Sequence, residues 1–289
     1  MFCLCGTLTL AIPNTAFGIL GAFASADLVE TQRSITGSST NSVIHRIPHV
    51  LAFNIGNIFI FTLANQRSPH SVVEDRINKP WRPIPRGSIT MDQTRRLMPC
   101  AIPMVLVVNY TVGAWQQGMC LTVLSWMYND LGGGDEVVSR EVILAIAYGL
   151  FNSGSLLVTT GLGSRLSPLG LAWTAIVSGV ILTTMQIQDL KDQAGDKTRN
   201  RRTIVLYYGE TFSRVSVAFF VCFWSWICGQ FWVSGLPVTV FTTSIAFFIS
   251  LRVLFLRSPE SDARTWKLWC FWHASLYTLP YLSLRSFKA

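Results

Sequence analysis

Apolar segments of nearly membrane-spanning length recur along the whole chain. About 17–25 apolar residues cross the hydrocarbon core of a bilayer as one helix. Nine segments approach or meet this length: 8–26, 43–64, 97–114, 118–129, 142–160, 169–188, 212–232, 236–256 and 267–284. The fourth is short enough to be re-entrant or tilted. The sequence therefore predicts an all-α, polytopic integral membrane protein of about nine transmembrane helices, with eight as the alternative.

Charged residues make up 13% of the 289 residues, against about 25% in soluble globular proteins. No stretch between the apolar segments is long enough for a soluble domain, so we expect residues 1–289 to form a single membrane domain. The longest polar stretches are 65–96 and 189–211, and both are candidate catalytic loops.

Lys and Arg residues predict the orientation of the chain. With nine crossings, 17 of the 23 Lys and Arg residues lie in or beside the loops on one side. Cytosolic loops carry such an excess. We therefore expect loops 65–96 and 189–211 to face the cytosol, with the endoplasmic reticulum as the expected membrane. The net charge of +8 does not indicate a nucleic-acid surface, because membrane spans interrupt the basic residues.

The N-terminal apolar segment raises the question of a signal peptide. Its last residues, Ala24-Ser25-Ala26, resemble a signal-peptidase site. No basic residues precede the segment, and Pro13-Asn14 interrupts it. We therefore expect a retained first helix, with a short or truncated start.

Three aspartates close the apolar stretch 169–187. Asp189, Asp192 and Asp196 are spaced i, i+3 and i+7, which places them on one face of a helix. Acids at a membrane boundary are costly unless a cation neutralises them. Oxygen ligands suit Mg²⁺, which commonly bridges carboxylates to substrate phosphates. The pattern therefore predicts a membrane enzyme that binds Mg²⁺ and a diphosphate.

A second polar cluster precedes this one in the chain. Glu74, Asp75 and Asn78 are followed by Lys79 and Arg82 in a proline-rich turn that cannot continue a helix. Basic residues also lie beside the three aspartates: Lys191, Lys197, Arg199, Arg201 and Arg202. One such cluster alone is typical of a solvated cytosolic loop. Two clusters on the same face, each next to a membrane helix, favour a binding site.

The chemistry of such a site follows from its residue types. A diphosphate leaves only when its charge is neutralised, which metal ions and Arg or Lys side chains can do. An allylic diphosphate then leaves a carbocation that must be shielded from water. Helices that enclose a cavity would shield it, and some of the 10 Trp, 18 Phe and 7 Tyr residues could stabilise it through their ring faces.

The two clusters resemble the signature motifs of the UbiA superfamily of membrane prenyltransferases. The second motif, Asp-x-x-Asp-x-x-x-Asp, is matched at Asp189, Asp192 and Asp196, and Gly195 is in place. The end of the first motif is matched at Asp75, Asn78, Pro80, Arg82, Pro83 and Ile84. The resemblance implies nine helices around a central cavity, with the motifs after the second and sixth helices.

The first motif departs from the usual Asn-Asp-x-x-Asp-x-x-x-Asp. It keeps its last acid as Asp75, has Ser71 at the middle position and begins with Asn65-Gln66. Glu74 would compensate as a second metal ligand. This altered pattern resembles a fungal branch of the superfamily that includes membrane-bound terpene cyclases, among them sesquiterpene cyclases of the β-trans-bergamotene-forming type.

The motifs and the resemblance together predict the residues of the site. The catalytic acids are Asp75, Asp189, Asp192 and Asp196. The metal ligands are Glu74, Asp75, Asn78, Asp189, Asp192 and Asp196. The diphosphate ligands are Lys79, Arg82, Lys191, Arg199, Arg201 and Arg202, and the remaining first-motif positions are Asn65 and Ser71.

The leading functional hypothesis is a Mg²⁺-dependent class I terpene cyclase of secondary metabolism that acts on farnesyl or geranylgeranyl diphosphate, with downstream biosynthetic enzymes as partners. The close alternative is a prenyltransferase that attaches the chain to an aromatic or polyketide acceptor, because both need the same ionisation site. A transporter is disfavoured, because its acids would lie at the membrane midplane. A non-catalytic partner protein is disfavoured by the intact second motif.

We predict that Asp192→Ala abolishes turnover without removing the protein from the membrane, because the variant loses a carboxylate of the metal site. Microsomal activity and membrane fractionation of the variant would measure the two properties. Full activity would contradict the metal-site interpretation.

Overall fold

The computed structural model describes residues 7–24, 28–31 and 40–283, and helices dominate it. The described part of the chain begins with a π-helical turn, Thr7–Ala11, that leads into the first helix. The two short strands, β1 (Val29–Thr31) and β2 (Ser164–Leu166), pair antiparallel. The all-α class is confirmed, since these strands make one small ribbon between helices.

Nine helices of 12 residues or more follow one another in the described part of the chain. They are α1 (Ile12–Phe23), α2 (Thr40–Gln66), α4 (Met91–Thr111), α5 (Trp115–Asn129), α6 (Val137–Thr160), α7 (Pro168–Thr184), α10 (Glu210–Trp232), α11 (Leu236–Phe255) and α12 (Pro259–Leu276). Three shorter helices, α3 (Pro69–Asn78), α8 (Asp189–Thr198) and α9 (Ile204–Tyr207), lie between them.

Each of the nine predicted segments coincides with one of these long helices; residues 25, 26 and 284 of the predicted ends lie outside the described residues. Within residues 7–24, 28–31 and 40–283, five helical stretches are long and apolar enough to cross a membrane: Asn41–Gln66, Val137–Thr160, Pro168–Thr198, Glu210–Trp232 and Leu236–Phe255. The count of nine crossings stays a prediction, because hydropathy and length alone support five.

Helix starts differ most from the predicted boundaries. Helix α4 begins at Met91, where the predicted apolar segment begins at 97. The Thr90 hydroxyl accepts from the Gln93 N–H, and the Gln93 side chain accepts from the Thr90 N–H. This capping box stabilises a polar first turn. Hydropathy does not detect such a turn, so the predicted segment started too late.

Helix α6 lies at the centre of the N-terminal half, in contact with α1, α2, α5 and α7. Helix α1 approaches it closely at Gly18, where a Cβ atom would lie 2.6 Å from the carbonyl oxygen of Ser155. Glycine is therefore required at this crossing. Small residues allow such close approach between helices in a bilayer.

Buried amides join the same helices. Asn54 of α2 donates to the hydroxyls of Thr15 (3.0 Å) and Ser155 (2.9 Å). Asn57 of α2 and Asn109 of α4 exchange two side-chain hydrogen bonds, at 3.0 and 3.1 Å. Such bonds between membrane helices fix their relative positions.

A buried arginine joins the three C-terminal long helices. Arg214 of α10 is 1% exposed, and its Nη1 and Nη2 donate to the two carboxylate oxygens of Asp262 in α12, at 2.9 and 2.7 Å. Its Nη1 also donates to the carbonyl oxygen of Val253 in α11, and its Nε to Glu210. One side chain thus holds α10, α11 and α12 together at one end.

The two polar clusters meet because short helices follow two of the long ones. Helix α3 follows α2 after the turn at Arg67–Ser68, and α8 follows α7 through a 3₁₀ turn, Met185–Gln188. Helices α3 and α8 pack against each other. Residues more than 110 positions apart in sequence are thereby brought to the same end of the bundle.

We predict that Arg214→Gln lowers the melting temperature of the detergent-purified protein. The substitution leaves the Asp262 carboxylate buried without a counter-ion, and breaking a buried ion pair this way costs about 3–5 kcal/mol. The matched control is Arg95→Gln, since the Arg95–Asp92 ion pair is 68% and 51% exposed. Equal melting temperatures for the two variants would contradict the structural role of Arg214.

Candidate active site

The second cluster forms helix α8, as the spacing of its aspartates predicts. Asp189 and Asp196 are 2% and 1% exposed, and they lie toward the guanidinium groups of Arg140 and Arg201. Asp192 is less buried and lies toward Lys79 and Lys191. The helix thus presents two buried carboxylates to one set of cations and a third carboxylate to another.

The first cluster forms helix α3, which ends at Asn78 two residues before Pro80, as predicted. The Asn78 side chain donates to the carbonyl oxygen of Asp192 (2.9 Å) and accepts from the Gly195 N–H (3.1 Å). A Cβ atom on Gly195 would lie 2.3 Å from Asn78 Nδ2. Asn78, predicted as a metal ligand, therefore uses both polar groups to join the two clusters.

Glu74 is the acid around which the arginines of the second cluster gather. Its Oε2 lies 3.2 Å from Arg199 Nη1, and its Oε1 lies 3.2 Å from Arg201 Nη1. Arg199 Nη1 also donates to the hydroxyl of Ser71 at 2.5 Å. Glu74 and Ser71 of the first motif are thus in direct contact with two predicted diphosphate ligands.

Arg201 extends this network to the second motif. Its Nη1 lies 3.4 Å from Asp196 Oδ1, and its Nη2 donates to the Tyr128 hydroxyl at 3.4 Å. Its Nε donates to the carbonyl oxygen of Gly134 at 3.1 Å. Arg201 therefore contacts both motifs and the connection between α5 and α6.

Asp75 makes a separate ion pair with Arg82, whose Nη1 lies 2.9 and 2.8 Å from its two carboxylate oxygens. Arg82 Nη1 also lies 3.4 Å from Asn65 Oδ1, so three first-motif residues are in contact. Burial raises the pKa of Asp75, and the nearby charges of Arg82 and Lys79 partly oppose that increase.

The remaining predicted diphosphate ligands lie farther out. Asp192 Oδ2 lies 3.6 Å from Lys79 Nζ and 2.5 Å from Lys191 Nζ. Arg202 is on the surface, where its guanidinium pairs with Glu136 at 3.4 Å and both side chains are more than half exposed. The structure thus brings together most of the predicted residues and leaves the Arg202 side chain apart from them.

The glycine-rich segment 132–135 contributes to the site. Gly133–Asp135 forms a 3₁₀ turn in which Gly134 is buried against Tyr128; a Cβ atom there would lie 2.5 Å from the ring. Asp135 Oδ1 lies 2.8 Å from Arg199 Nε and 3.4 Å from Arg201 Nε. Asp135 thus pairs with arginines 64 or more positions later in the chain, which local sequence does not reveal.

Arg140 and Glu141 are a second omission of the sequence analysis. They lie in the first two turns of α6, and they are 2% and 4% exposed. Arg140 Nη1 donates to Glu141 Oε1 at 2.5 Å, and its Nη2 donates to Asp189 Oδ1 at 2.7 Å. The only sequence signal is an adjacent acid and base immediately before an apolar stretch.

The charges at the site fit a divalent cation. Arg199 and Arg201 face three carboxylates, those of Glu74, Asp135 and Asp196, and Arg140 faces two, those of Glu141 and Asp189. Each group thus has one more carboxylate than guanidinium. The buried Oδ2 atoms of Asp189 and Asp196 have no hydrogen-bond partner in the part of the chain that the structure describes. Oxygen donors with excess negative charge suit Mg²⁺.

The carboxylates are spaced by guanidinium groups. Across residues 7–24, 28–31 and 40–283, no three acidic, histidine or cysteine side chains lie close enough together to hold one metal ion. Arg140 bridges Glu141 and Asp189, and Arg201 bridges Glu74 and Asp196. Convergence on one cation therefore requires these side chains to move.

The described part of the structure has one cavity beside the polar site and another between membrane helices. One of about 480 Å³ opens beside Asp192 and is lined in part by Asn78, Lys191 and Lys197. The other, of about 540 Å³, is lined almost entirely by apolar and small residues of α6 and α7. Lys191, Asp192 and Lys197 all line the first cavity, so the three side chains lie on the same side of α8.

The sequence model of the UbiA prenyltransferase family matches residues 52–276, which include both polar clusters and the arginines that contact them. The chain belongs to the UbiA prenyltransferase family. The resemblance seen in the two motifs is thereby confirmed, and the chain is an all-α integral membrane protein. Within this UbiA protein, α3 and α8 carry the two family motifs after the second and sixth long helices.

Two curated relatives are terpene cyclases by name. The diterpene cyclase eriG of Hericium erinaceus is 28% identical over 230 residues, which cover 74% of this chain and 69% of eriG. The fumagillin β-trans-bergamotene synthase af520 of Aspergillus fumigatus is 28% identical over 181 residues, which cover 63% of this chain and 62% of the synthase.

A solved structure shares the fold. The UbiA homolog from Archaeoglobus fulgidus bound to GPP and Mg²⁺ superposes with a TM-score of 0.58 at 10% identity, over 94% of this chain and 98% of that one. The likeness extends over nearly the full length of both chains, so the described helices have the UbiA arrangement.

We predict that Gly195→Ala lowers Mg²⁺-dependent turnover of a prenyl diphosphate by about 100-fold, as small misplacements of reacting groups do. The new methyl group would displace the Asn78 side chain and separate the two clusters. The matched control is Gly229→Ala, also within a helix, where the nearest atom to the added Cβ lies at 3.4 Å. Comparable turnover in both variants would contradict this role for the contact.

Proposed function

We propose that this protein is a Mg²⁺-dependent, membrane-bound class I terpene cyclase that ionises farnesyl diphosphate and cyclises it to a hydrocarbon. The observation that carries the proposal is the joining of two family motifs through one buried group of arginines and carboxylates. The names of the relatives support cyclisation in particular, since a diterpene cyclase and a bergamotene synthase both match most of the chain.

The metal would be held mainly by the aspartates of α8. Asp189 and Asp196 each have one oxygen engaged by an arginine and one without a hydrogen-bond partner. Glu74 is a further carboxylate of the same network, and Asp192 and Asp75 are carboxylates beside it that pair with Lys79, Lys191 and Arg82. Mg²⁺ bound there would supply a Lewis acid that lowers the charge of the diphosphate leaving group.

The arginines and lysines would bind the diphosphate oxygens. Arg199 and Arg201 present guanidinium groups from the end of α8, and the turn after α3 presents the guanidinium of Arg82 and the ammonium of Lys79. A guanidinium can donate two parallel hydrogen bonds to a phosphate group. These side chains would stabilise the negative charge that grows on the leaving group as the C–O bond breaks.

The bundle would shield the carbocation left by that step. The C–O bond electrons leave with the diphosphate, a distal double bond then attacks the cationic carbon, and loss of a proton gives the cyclic hydrocarbon. Aromatic side chains are close to the helices of the site; Trp269 of α12, for example, donates to the Thr184 hydroxyl one turn before Asp189. Such rings can stabilise cations through their faces, and exclusion of water prevents quenching to an alcohol.

Prenyl transfer to an aromatic or polyketide acceptor is the alternative, favoured by the family to which the chain belongs. Both reactions begin with the same ionisation, so the metal and diphosphate sites serve either. The difference is whether a second substrate supplies the attacking electrons. Turnover without an acceptor therefore discriminates between them.

The orientation is part of the same proposal. Residues 65–96 and 189–211 form the catalytic side of a single membrane domain that spans residues 1–289, with this side toward the cytosol. The endoplasmic reticulum is the proposed membrane, and downstream biosynthetic enzymes would consume the hydrocarbon. The excess of Lys and Arg on this side supports the orientation.

We predict that microsomes containing the protein convert farnesyl diphosphate to a cyclic hydrocarbon in the presence of Mg²⁺ and without an acceptor. Gas chromatography–mass spectrometry of hexane extracts measures the product. Microsomes with Asp192→Ala, and wild-type microsomes with a chelator, serve as inactive controls. Asp92→Ala is the matched active control, because Asp92 is exposed and pairs only with Arg95 and Arg96.

Failure with both farnesyl and geranylgeranyl diphosphate would contradict the cyclase proposal. If aromatic acceptors then restored consumption of the prenyl diphosphate, the protein would be a prenyltransferase. Mg²⁺-independent product would instead contradict the metal site.

A further inference from the structure

Four arginines contact buried aspartates in the described part of the structure, and two of them, Arg82 and Arg214, engage both carboxylate oxygens. Arg82 contacts both carboxylate oxygens of Asp75, at 2.9 and 2.8 Å. Arg214 uses two nitrogens for the two oxygens of Asp262. In each case neither aspartate oxygen is left without a partner.

Arg140 divides its guanidinium between two acids instead. Its Nη2 donates to Asp189 Oδ1 at 2.7 Å, while its Nη1 donates to Glu141 Oε1 at 2.5 Å. Asp189 Oδ2 and Glu141 Oε2 are buried and have no hydrogen-bond partner among the described residues. The presence of Glu141 thus coincides with an open oxygen on Asp189.

A purely structural ion pair does not explain this arrangement. Buried polar atoms in proteins almost always have partners, and buried ion pairs contribute little net stability compared with apolar residues of similar size. Here an acid and a base are buried side by side in the first two turns of α6, yet polar atoms of both lack a partner among the described residues. The arrangement is better explained by a ligand that contacts the open oxygen of Asp189.

We propose that Arg140 and Glu141 are positioning residues that keep one oxygen of Asp189 available to a divalent cation. Arg140 orients the carboxylate through Oδ1. Glu141 accepts the hydrogen bond of Arg140 Nη1, so that Arg140 cannot bind both oxygens of Asp189. The inference deepens the proposed function, since it rests on Asp189 as a metal ligand. Residues that orient metal ligands commonly change metal affinity 10–100-fold when mutated.

If Arg140 orients Asp189, its substitutions should affect cation affinity differently than if Arg140 acts only through its charge. Lysine keeps the positive charge but cannot present a planar fork, and glutamine removes the charge altogether. If Arg140 orients Asp189, both substitutions weaken cation binding. If Arg140 acts only through its charge, Arg140→Lys leaves cation affinity unchanged and Arg140→Gln increases it, because a repelling cation has been removed.

The test is Mn²⁺ binding to the purified full-length protein, measured by electron paramagnetic resonance of free Mn²⁺ without substrate. We expect Arg140→Lys and Arg140→Gln each to raise the Mn²⁺ dissociation constant about tenfold or more. Arg95→Gln, which alters an exposed arginine in the first turns of α4, should leave it unchanged. Arg140→Lys keeps size and charge, so it provides the measurement if Arg140→Gln does not fold.

A double-mutant cycle tests the role of Glu141. Glu141→Gln should also weaken Mn²⁺ binding, but it should add nothing in the Arg140→Gln background, because Glu141 acts through Arg140. Additive effects would overturn that role. Unchanged affinity in Arg140→Lys, or tighter binding in Arg140→Gln, would overturn the positioning role of Arg140. Failure of the wild type to bind Mn²⁺ would instead contradict the metal site of the proposed function.

Discussion

The need to neutralise carboxylates at the end of a membrane bundle organises this structure. Acids there are costly unless they are paired, and α8 places Asp189 and Asp196 where each is at most 2% exposed. Guanidinium groups from α6 and from the end of α8 supply the pairing charges. The pairing is incomplete, since each group of ion pairs has one carboxylate more than it has guanidinium groups. Because of this excess negative charge, the network of ion pairs is a candidate cation site.

Hydropathy and local spacing predict much of the fold. The long helices coincide with the apolar segments because hydrophobic length is a property of contiguous residues. The spacing of Asp189, Asp192 and Asp196 predicts helix α8, and Pro80 predicts the end of α3 at Asn78. The predicted starts of the helices were less accurate. The first turns of α4 and α12 are polar and depend on caps at Thr90 and Ser258 rather than on hydropathy.

The partners of the predicted site residues were not accessible from local sequence. Arg140, Glu141 and Asp135 lie about 50 or more positions before Asp189 and Arg199, so only tertiary packing brings them into contact. Asn78 illustrates the same limit. Its motif position suggested metal binding, whereas the contact with the α8 backbone depends on the absence of a side chain at Gly195. A motif specifies which residue types meet, but the packing of α3 against α8 decides what each one contacts.

Arg199 and Arg201 have two roles that they can fill one after the other, pairing with carboxylates before substrate binds and with phosphate oxygens afterwards. Without substrate, Arg199 and Arg201 balance Glu74 and Asp196, which permits burial of those acids. With a diphosphate and a divalent cation present, the same guanidinium groups would exchange carboxylate oxygens for phosphate oxygens as the cation takes over the carboxylates. Each guanidinium would then keep an oxygen acceptor, so binding need not leave a buried charge unpaired. Substrate and metal would then be favoured together over either alone, because each compensates for the charge that the other displaces.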